Sequence, residues 1–164
     1  MTYKKKSWKE KLENNKNFPK ILKFSPKFPC GKALLKMGAK SGDSVVLAPP
    51  LEVDEIMKKV PKGKLITINE ICKKLAKKHN VKFCCTLTTG IFIMTAAHAA
   101  EEDKIENKKI ITPYWRTVKM DGFLNDKYPD GAKKQKRLLE EEGFKIIKKG
   151  KRFFVEDFKN YLIK

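Results

Sequence analysis

Arginine is nearly missing from this chain. Of its 38 basic residues only Arg116, Arg137 and Arg152 are arginine, and the other 35 are lysine, so few side chains are suited to the forked reading of base edges. Acid is scarce as well, at 19 residues. The four cysteines, Cys30, Cys72, Cys84 and Cys85, show no paired spacing, which argues against a disulfide scaffold and for a reducing cytoplasm. With the two histidines, His79 and His98, they form neither a C-x-x-C nor an H-x-x-x-H spacing, so no metal or other cofactor is expected. Long apolar runs are also lacking. Met1 to Lys11 has no stretch of signal-peptide type, and the uncharged segment Phe83 to Ala100 contains four Thr, a His and a Gly. That segment reads as a buried helix, so no membrane is expected. There is no internal repeat and no low-complexity tract.

What is present is enough for one domain. The 164 residues are 41% apolar and 10% aromatic, which excludes a disordered composition. A net charge of +19 and a pI near 9.8 make a polyanion the natural partner, with nucleic acid first and an anionic membrane second. The charge is concentrated at the start, where residues 1–40 hold 12 Lys against Glu10 and Glu13.

The pattern predicts an α+β fold in two parts, a basic extension over 1–48 and a domain over 49–164 divided from it by Pro49-Pro50. Ser7-Trp8-Lys9-Glu10 has the spacing of a capping box and opens a short helix to about Asn15. Pro19 to Phe24 and Ser44 to Ala48 read as strands around a Gly- and Lys-rich loop from Pro29 to Gly42. Leu51 to about Lys59 is helical, ended by Pro61-Lys62-Gly63. A second capping-box spacing, Thr67 to Glu70, opens a helix with Ile68, Ile71, Cys72 and Leu75 inward and Lys73, Lys74, Lys77 and Lys78 outward. Thr88 or Thr89 caps a third helix, Gly90 to about Asp103, apolar nearly all round and therefore packed on several sides. Three helices in this order, the third central, suit a helix-turn-helix domain. Ile110 to Thr112 and Trp115 to Lys119 read as extended, with a turn at Met120-Asp121-Gly122. Gly131 to Glu142 is a helix stopped by Gly143, Phe144 to Val155 a hairpin about Lys149-Gly150, and a last helix starts near Glu156.

From about Leu51 to Phe144 the order of motifs resembles the DNA-binding domain of the methylated-DNA protein cysteine methyltransferases and their alkyltransferase-like relatives. The pieces are Val60-Pro61-Lys62-Gly63-Lys64, the helix start at Thr67, the small-residue helix from Gly90 to Ala100, Pro113-Tyr114-Trp115-Arg116-Thr117-Val118, and Tyr128-Pro129-Asp130-Gly131 leading to Gln135 through Gly143. The resemblance implies a winged helix-turn-helix domain, and the hairpin read above follows it as a C-terminal addition.

The departures bear on chemistry. Active members of the family carry Pro-Cys-His-Arg-Val, with Cys as alkyl acceptor; here Tyr114 and Trp115 occupy the Cys and His positions. A phenol with a pKa about 10 is a poor nucleophile near neutrality and an indole is no base. Pro113, Arg116 and the carboxylate Glu142 are kept, as in an emptied active site. Alkyltransferase-like proteins also lack the acceptor, with Trp in its usual place, and bind alkylated guanine without repairing it. Ile68 stands where the family has a phosphate-rotating Tyr, Leu87 to Thr89 where it has an intercalating Arg, and Glu101 to Lys109 where it has an Asn-Pro hinge. Pro129 replaces a small polar residue.

The resemblance thus implies a non-enzymatic protein that recognises an alkylated or otherwise modified base in duplex DNA and marks it for other repair proteins, acting as a monomer. Thr67, Thr88, Thr89, Gly90, Arg116, Lys73 and Lys77 are the expected DNA contacts, because a helix N-terminus and lysines attract phosphate. Tyr114, Trp115, Tyr128 and Gly131 are the expected base pocket. Two alternatives stay open: an alkyltransferase with its thiol relocated to Cys72, Cys84 or Cys85, and a general nucleic-acid module with a vestigial pocket. The runs Lys4-Lys5-Lys6 and Lys148-Lys149 are solvated faces or further phosphate contacts.

Overall fold

The longest uncharged stretch of the sequence becomes the axis around which the chain packs. The computed structural model describes residues 5–163, so Lys4 lies outside the described residues. The elements are α1 (Trp8–Glu13), β1 (Lys20–Lys23), α2 (Gly31–Lys36), β2 (Ser44–Leu47), α3 (Pro50–Lys58), β3 (Ile66–Thr67), α4 (Ile68–Lys78), β4 (Phe83–Cys84), α5 (Thr86–Ile105), β5 (Thr117–Val118), α6 (Gly131–Glu141), β6 (Ile146–Lys149) and β7 (Arg152–Val155). Short 3-10 turns lie at Tyr114–Arg116 and Phe158–Tyr161. The architecture is mixed helix and strand with small sheets, as the pattern requires. No helix among the described residues is long and apolar enough to cross a membrane.

Helix α5 has α1, α3 and α4 packed around it. Its Ala96, Ala97, Ala99 and Ala100 are buried, and their small side chains let neighbouring helices approach closely. The main core joins them to Val53 and Met57 of α3, Ile71, Cys72 and Leu75 of α4, and the rings of Tyr114 and Tyr128. A second cluster around Leu65, Val118, Leu139, Phe144 and Val155 holds the C-terminal hairpin, and a third around Phe24, Leu34 and Val45 holds the N-terminal layer.

The segment before Pro49 is a packed layer. Strand β1 pairs antiparallel with β2, and β2 pairs parallel with β4, placing Val46 beside Cys84. The capping box of α1 forms: Ser7 Oγ accepts from the Glu10 amide and a Glu10 carboxylate oxygen from the Ser7 amide, both at 3.1 Å. Glu102 of α5 in turn accepts from the amides of Trp8 (2.5 Å) and Lys9 (3.2 Å), and Lys9 Nζ lies 3.2 Å from Asp103. Four residues of α5 and α1, Glu102, Asp103, Trp8 and Lys9, therefore join by polar contact what Leu12 joins by burial.

Five expectations are corrected. Residues Pro29 to Gly42 contain α2, a six-residue helix whose Cys30 N-cap makes no side-chain bond, so no cap motif announced it. The second capping box does not form, because Thr67 ends β3, paired with Val118, with its side chain buried and no cap bond, and Glu70 Oε2 is left without a partner. Helix α5 starts a turn earlier than Gly90, capped by Cys85, whose Sγ accepts from the Thr88 amide. Trp115 and Arg116 form a 3-10 turn where an extended run was expected, and the final helix is also 3-10. At the other end of α6 the expectation holds: Gly143 (φ +95°) and Phe144 return amide bonds to Glu140 and Leu139, a Schellman motif.

Two glycines with the same backbone angle separate strain from crowding. Gly63 (φ +83°) has open space where a Cβ would go, whereas at Gly122 (φ +84°) that Cβ would sit 2.4 Å from the Phe158 ring. Gly63→Ala is expected to cost about 1 kcal/mol from the left-handed backbone alone, and Gly122→Ala about 1–3 kcal/mol more from overpacking. Urea melts of the two variants check this; equal losses would mean that Phe158 yields freely.

Candidate nucleic-acid interface

Of the expected base pocket, Tyr114 and Tyr128 are buried in an aromatic cluster that the half-buried Trp115 completes, while Gly131 is also half-buried. Tyr114 has 0% exposure, and its ring meets those of Trp115 at 5.4 Å and Tyr128 at 5.2 Å, both edge to face. Its hydroxyl donates to Glu101 Oε1 at 2.6 Å, and the same oxygen lies 2.9 Å from Lys134 Nζ. Burial and this carboxylate together raise the phenol well above its ordinary range, so the proton stays on oxygen and phenolate chemistry is further out of reach. Glu101 is pushed up by burial but pulled down more by Lys134 and Tyr114, and the net direction is down. Tyr128, also buried and raised by desolvation, donates to the Thr117 carbonyl at 2.9 Å. Gly131 (φ +76°) starts α6 directly after this loop.

The retained Arg116 and Glu142 are bound to each other. Glu142, at the C-cap of α6, accepts from Trp115 Nε1 at 2.5 Å, from Arg116 Nε at 3.0 Å and from the Gly63 amide at 3.4 Å. Arg116 also donates to the Val60 carbonyl at 2.7 Å. With its side chain 15% exposed and so engaged, Arg116 holds the scaffold. Gln135, fully buried, completes the frame by accepting from the Asn125 amide and donating to the carbonyls of Trp115 and Thr117.

Of the expected DNA contacts, Thr67 and Thr89 are buried, and Thr89 donates its hydroxyl to the Cys85 carbonyl. The Gly90 amide, five residues into α5, falls within the helical ladder, so it does not point at a phosphate. The open donors are instead the amides of Thr86 and Leu87, which have no partner among the described residues. Thr88 is half-buried, with its hydroxyl on Cys85 Sγ. Lys73 and Lys77 are exposed, while on the same stripe Lys78 pairs with Glu52 at 3.1 Å and Lys74 borders the α3 cleft holding Glu52 and Glu55.

A groove that sequence reasoning missed runs beside the start of α5. It has a volume of about 260 Å³ and is walled by Leu87, Gly90, Ile91 and Met94 on one side and by Lys119, Asn125 and Lys127 on the other. Leu87 and Ile91 are 48% and 52% exposed near the start of this largely apolar helix. Their i, i+4 spacing was visible, but an all-apolar helix gives no sign of which face stays wet. Neither Lys119 nor Lys127 has a carboxylate within ion-pair distance among the described residues.

The thiols lie elsewhere. All four cysteines are buried and free. Desolvation pushes Cys30 up to about 12, and the Cys84 sulfur and burial push Cys72 up strongly. Cys84 is drawn down by the Cys72 thiol, yet it sits beneath α5, 2% exposed, away from any approaching alkyl group. His98 stacks on Trp8 at 4.4 Å, and no metal-binding cluster occurs among the described residues.

No protein-family model matches the sequence, and no curated protein sequence matches it. Two solved structures do match in three dimensions. S. pombe ATL in complex with DNA matches with a TM-score of 0.51 at 21% identity, over 70% of this chain and 94% of that one. The fold is alkyltransferase-like. S. pombe Atl1 in complex with damaged DNA containing O6-carboxymethylguanine gives a TM-score of 0.49 at 20% identity over the same shares.

Within this fold the buried Tyr114 phenol is bonded to Glu101. Because Glu101 is held below its ordinary value, its contribution to stability is complete above the unfolded carboxyl pKa, about 4.3, and is lost as pH falls through the lower folded value. Glu101→Gln should therefore lower Tm relative to the natural chain at pH about 6 and narrow that gap toward pH about 3. A gap unchanged across that range would contradict the role assigned to the charge.

Proposed function

We propose that this protein binds duplex DNA through the start of α5 and the facing 119–127 loop, acting without turnover and favouring a modified base. Helices α4 and α5 serve as a helix-turn-helix pair, with β6–β7 in the position of a wing. The observation that carries the reading is the groove, where two orphan helix amides, two unpaired lysines and two exposed aliphatic side chains converge. Amides and lysines suit phosphate. Leu87 and Ile91 suit a base step, because apolar wedges unstack neighbouring bases and thereby open or bend the duplex. Leu87 stands in the region where the resembled family has its intercalating Arg, so an apolar wedge replaces a cationic one. The alkyltransferase-like fold, the retained motif order and the complex of S. pombe ATL with DNA support the same reading.

In this reading the modified base rests in the groove over Gly90 and Met94. Tyr114 then supports the wall from behind, and its hydroxyl stays on Glu101. Damage marking for other repair proteins follows from binding without chemistry. The complete burial of Tyr114 favours one competing reading, a general duplex-binding module whose pocket has been filled.

Gel-shift titrations of duplexes with and without a single O6-alkylguanine separate the two. The proposal predicts tighter binding of the modified duplex, and Leu87→Ala should weaken it by about 1–3 kcal/mol, roughly 5- to 150-fold, if a wedge is lost. With about five phosphates neutralised, the log–log salt slope should lie near −4 to −5. Equal affinity for both duplexes would establish the filled-pocket reading, and no duplex binding would remove both.

A further inference from the structure

The hairpin β6–β7 lies beyond the segment that resembles the alkyltransferase-like family, and the groove makes no use of its charges. Its register sets Ile146 opposite Val155, Ile147 opposite Phe154, Lys148 opposite Phe153 and Lys149 opposite Arg152. Side chains alternate along each strand, so Ile146, Phe153 and Val155 turn to the C-terminal core. The other face carries Ile147, Phe154, Lys149 and Arg152.

Phe123 joins that outer face from the 119–127 loop. Its backbone bridges to Phe154, with the two rings 5.7 Å apart. The Arg152 guanidinium lies 3.9 Å from the centre of the Phe123 ring, and Lys149 Nζ lies 4.6 Å from that of Phe154. The rings fix where the cations sit but accept no hydrogen bond of ordinary strength, so the donors remain free. Among the described residues no carboxylate lies within ion-pair distance of Lys148, Lys149, Lys151 or Arg152, although nearby Lys145 and Lys136 pair with Glu156 and Glu140.

Two like charges directly opposite in an antiparallel pair destabilise a hairpin. An anion shared between Lys149 and Arg152 reverses that sign, and the guanidinium held on the Phe123 ring offers a fork matched to phosphate oxygens. We propose that the outer face of β6–β7 is a phosphodiester platform that holds the DNA backbone beside the stretch engaged by α5. The continuity is structural: Lys119, on the groove wall, donates its amide to the Phe123 carbonyl at 2.9 Å, so groove and platform are two ends of one short loop. The platform rests on the DNA-binding reading and extends its footprint.

The test compares the full chain with Lys149→Ala/Arg152→Ala on unmodified duplexes of about one and about two and a half helical turns. On the longer duplex the double variant should show a log–log salt slope shallower by about 2, so that between about 50 and 200 mM salt the unaltered chain loses roughly 10-fold more affinity than the variant. On the shorter duplex the two proteins should differ by less than about 2-fold, since one turn is taken up by the groove. Lys149→Arg/Arg152→Lys, which keeps both charges, should retain the slope; if it behaves like the alanine variant, a folding defect and not phosphate contact explains the loss, and the platform falls. Equal slopes for the unaltered chain and the alanine variant also overturn the platform and leave the groove standing. Inorganic phosphate at the same ionic strength should compete no better than chloride; selective competition lost with the alanine variant, without a change in DNA slope, assigns the site to free phosphate and refutes the proposal. No duplex binding by the unaltered chain would instead refute the reading beneath it.

Discussion

One carboxylate fixes the geometry of the whole C-terminal half. Glu142, at the end of α6, receives the Trp115 indole, the Arg116 guanidinium and the Gly63 amide, and so ties together the turn after α3, the 3-10 turn and the last helix. Arg116 and Glu142 are both mostly buried, and deleting one member of such a pair typically costs about 3–5 kcal/mol because the other is left charged in the interior. This charge cluster holds three chain segments in register. The groove beside α5 depends on it, since the loop carrying Lys119 and Lys127 is hung between this turn and the Gln135 contacts.

The aromatic cluster follows from the same frame. The Tyr114 hydroxyl already has a partner in Glu101, and its ring already has two neighbours in Trp115 and Tyr128. Glu101, on the final turns of α5, and Lys134, on α6, face each other across it, so the phenol closes the seam between those helices. What is open to solvent lies one layer outward, at the start of α5. The proposed binding surface there combines exposed aliphatic side chains, orphan amides and lysines.

Much of the fold was legible in the sequence because strong local signals agreed with the packing. The Ser7 capping box, the four-lysine stripe of α4, the uncharged α5 and the Gly143 stop each state a physical requirement that the structure meets. Failures arose where one residue served two elements. Thr67 looks like a cap, but it is also the end of a parallel two-stranded sheet, and pairing with Val118 wins. Thr89 looks like an exposed cap, but Cys85 takes that role, a thiol in a position where oxygen is the usual signal. The motif around Tyr114 correctly named the residues that meet, yet it placed them on an open pocket. Only the three-dimensional arrangement shows that Glu101, thirteen residues earlier, reaches the phenol and closes it. The groove was hidden for a further reason: Lys119, Lys127, Leu87 and Ile91 are ordinary residues in sequence and become a site only by juxtaposition.

The central claim is that duplex DNA meets this molecule at the start of α5 and the loop opposite it. Amide chemical shifts of the labelled protein, followed while an alkylguanine-containing duplex is added, test that claim residue by residue. The account predicts that the largest changes fall on Thr86 to Met94 and Lys119 to Lys127, with Tyr114 little affected because it stays on Glu101. Changes confined to the Lys73–Lys77 face of α4, with the start of α5 silent, would contradict it.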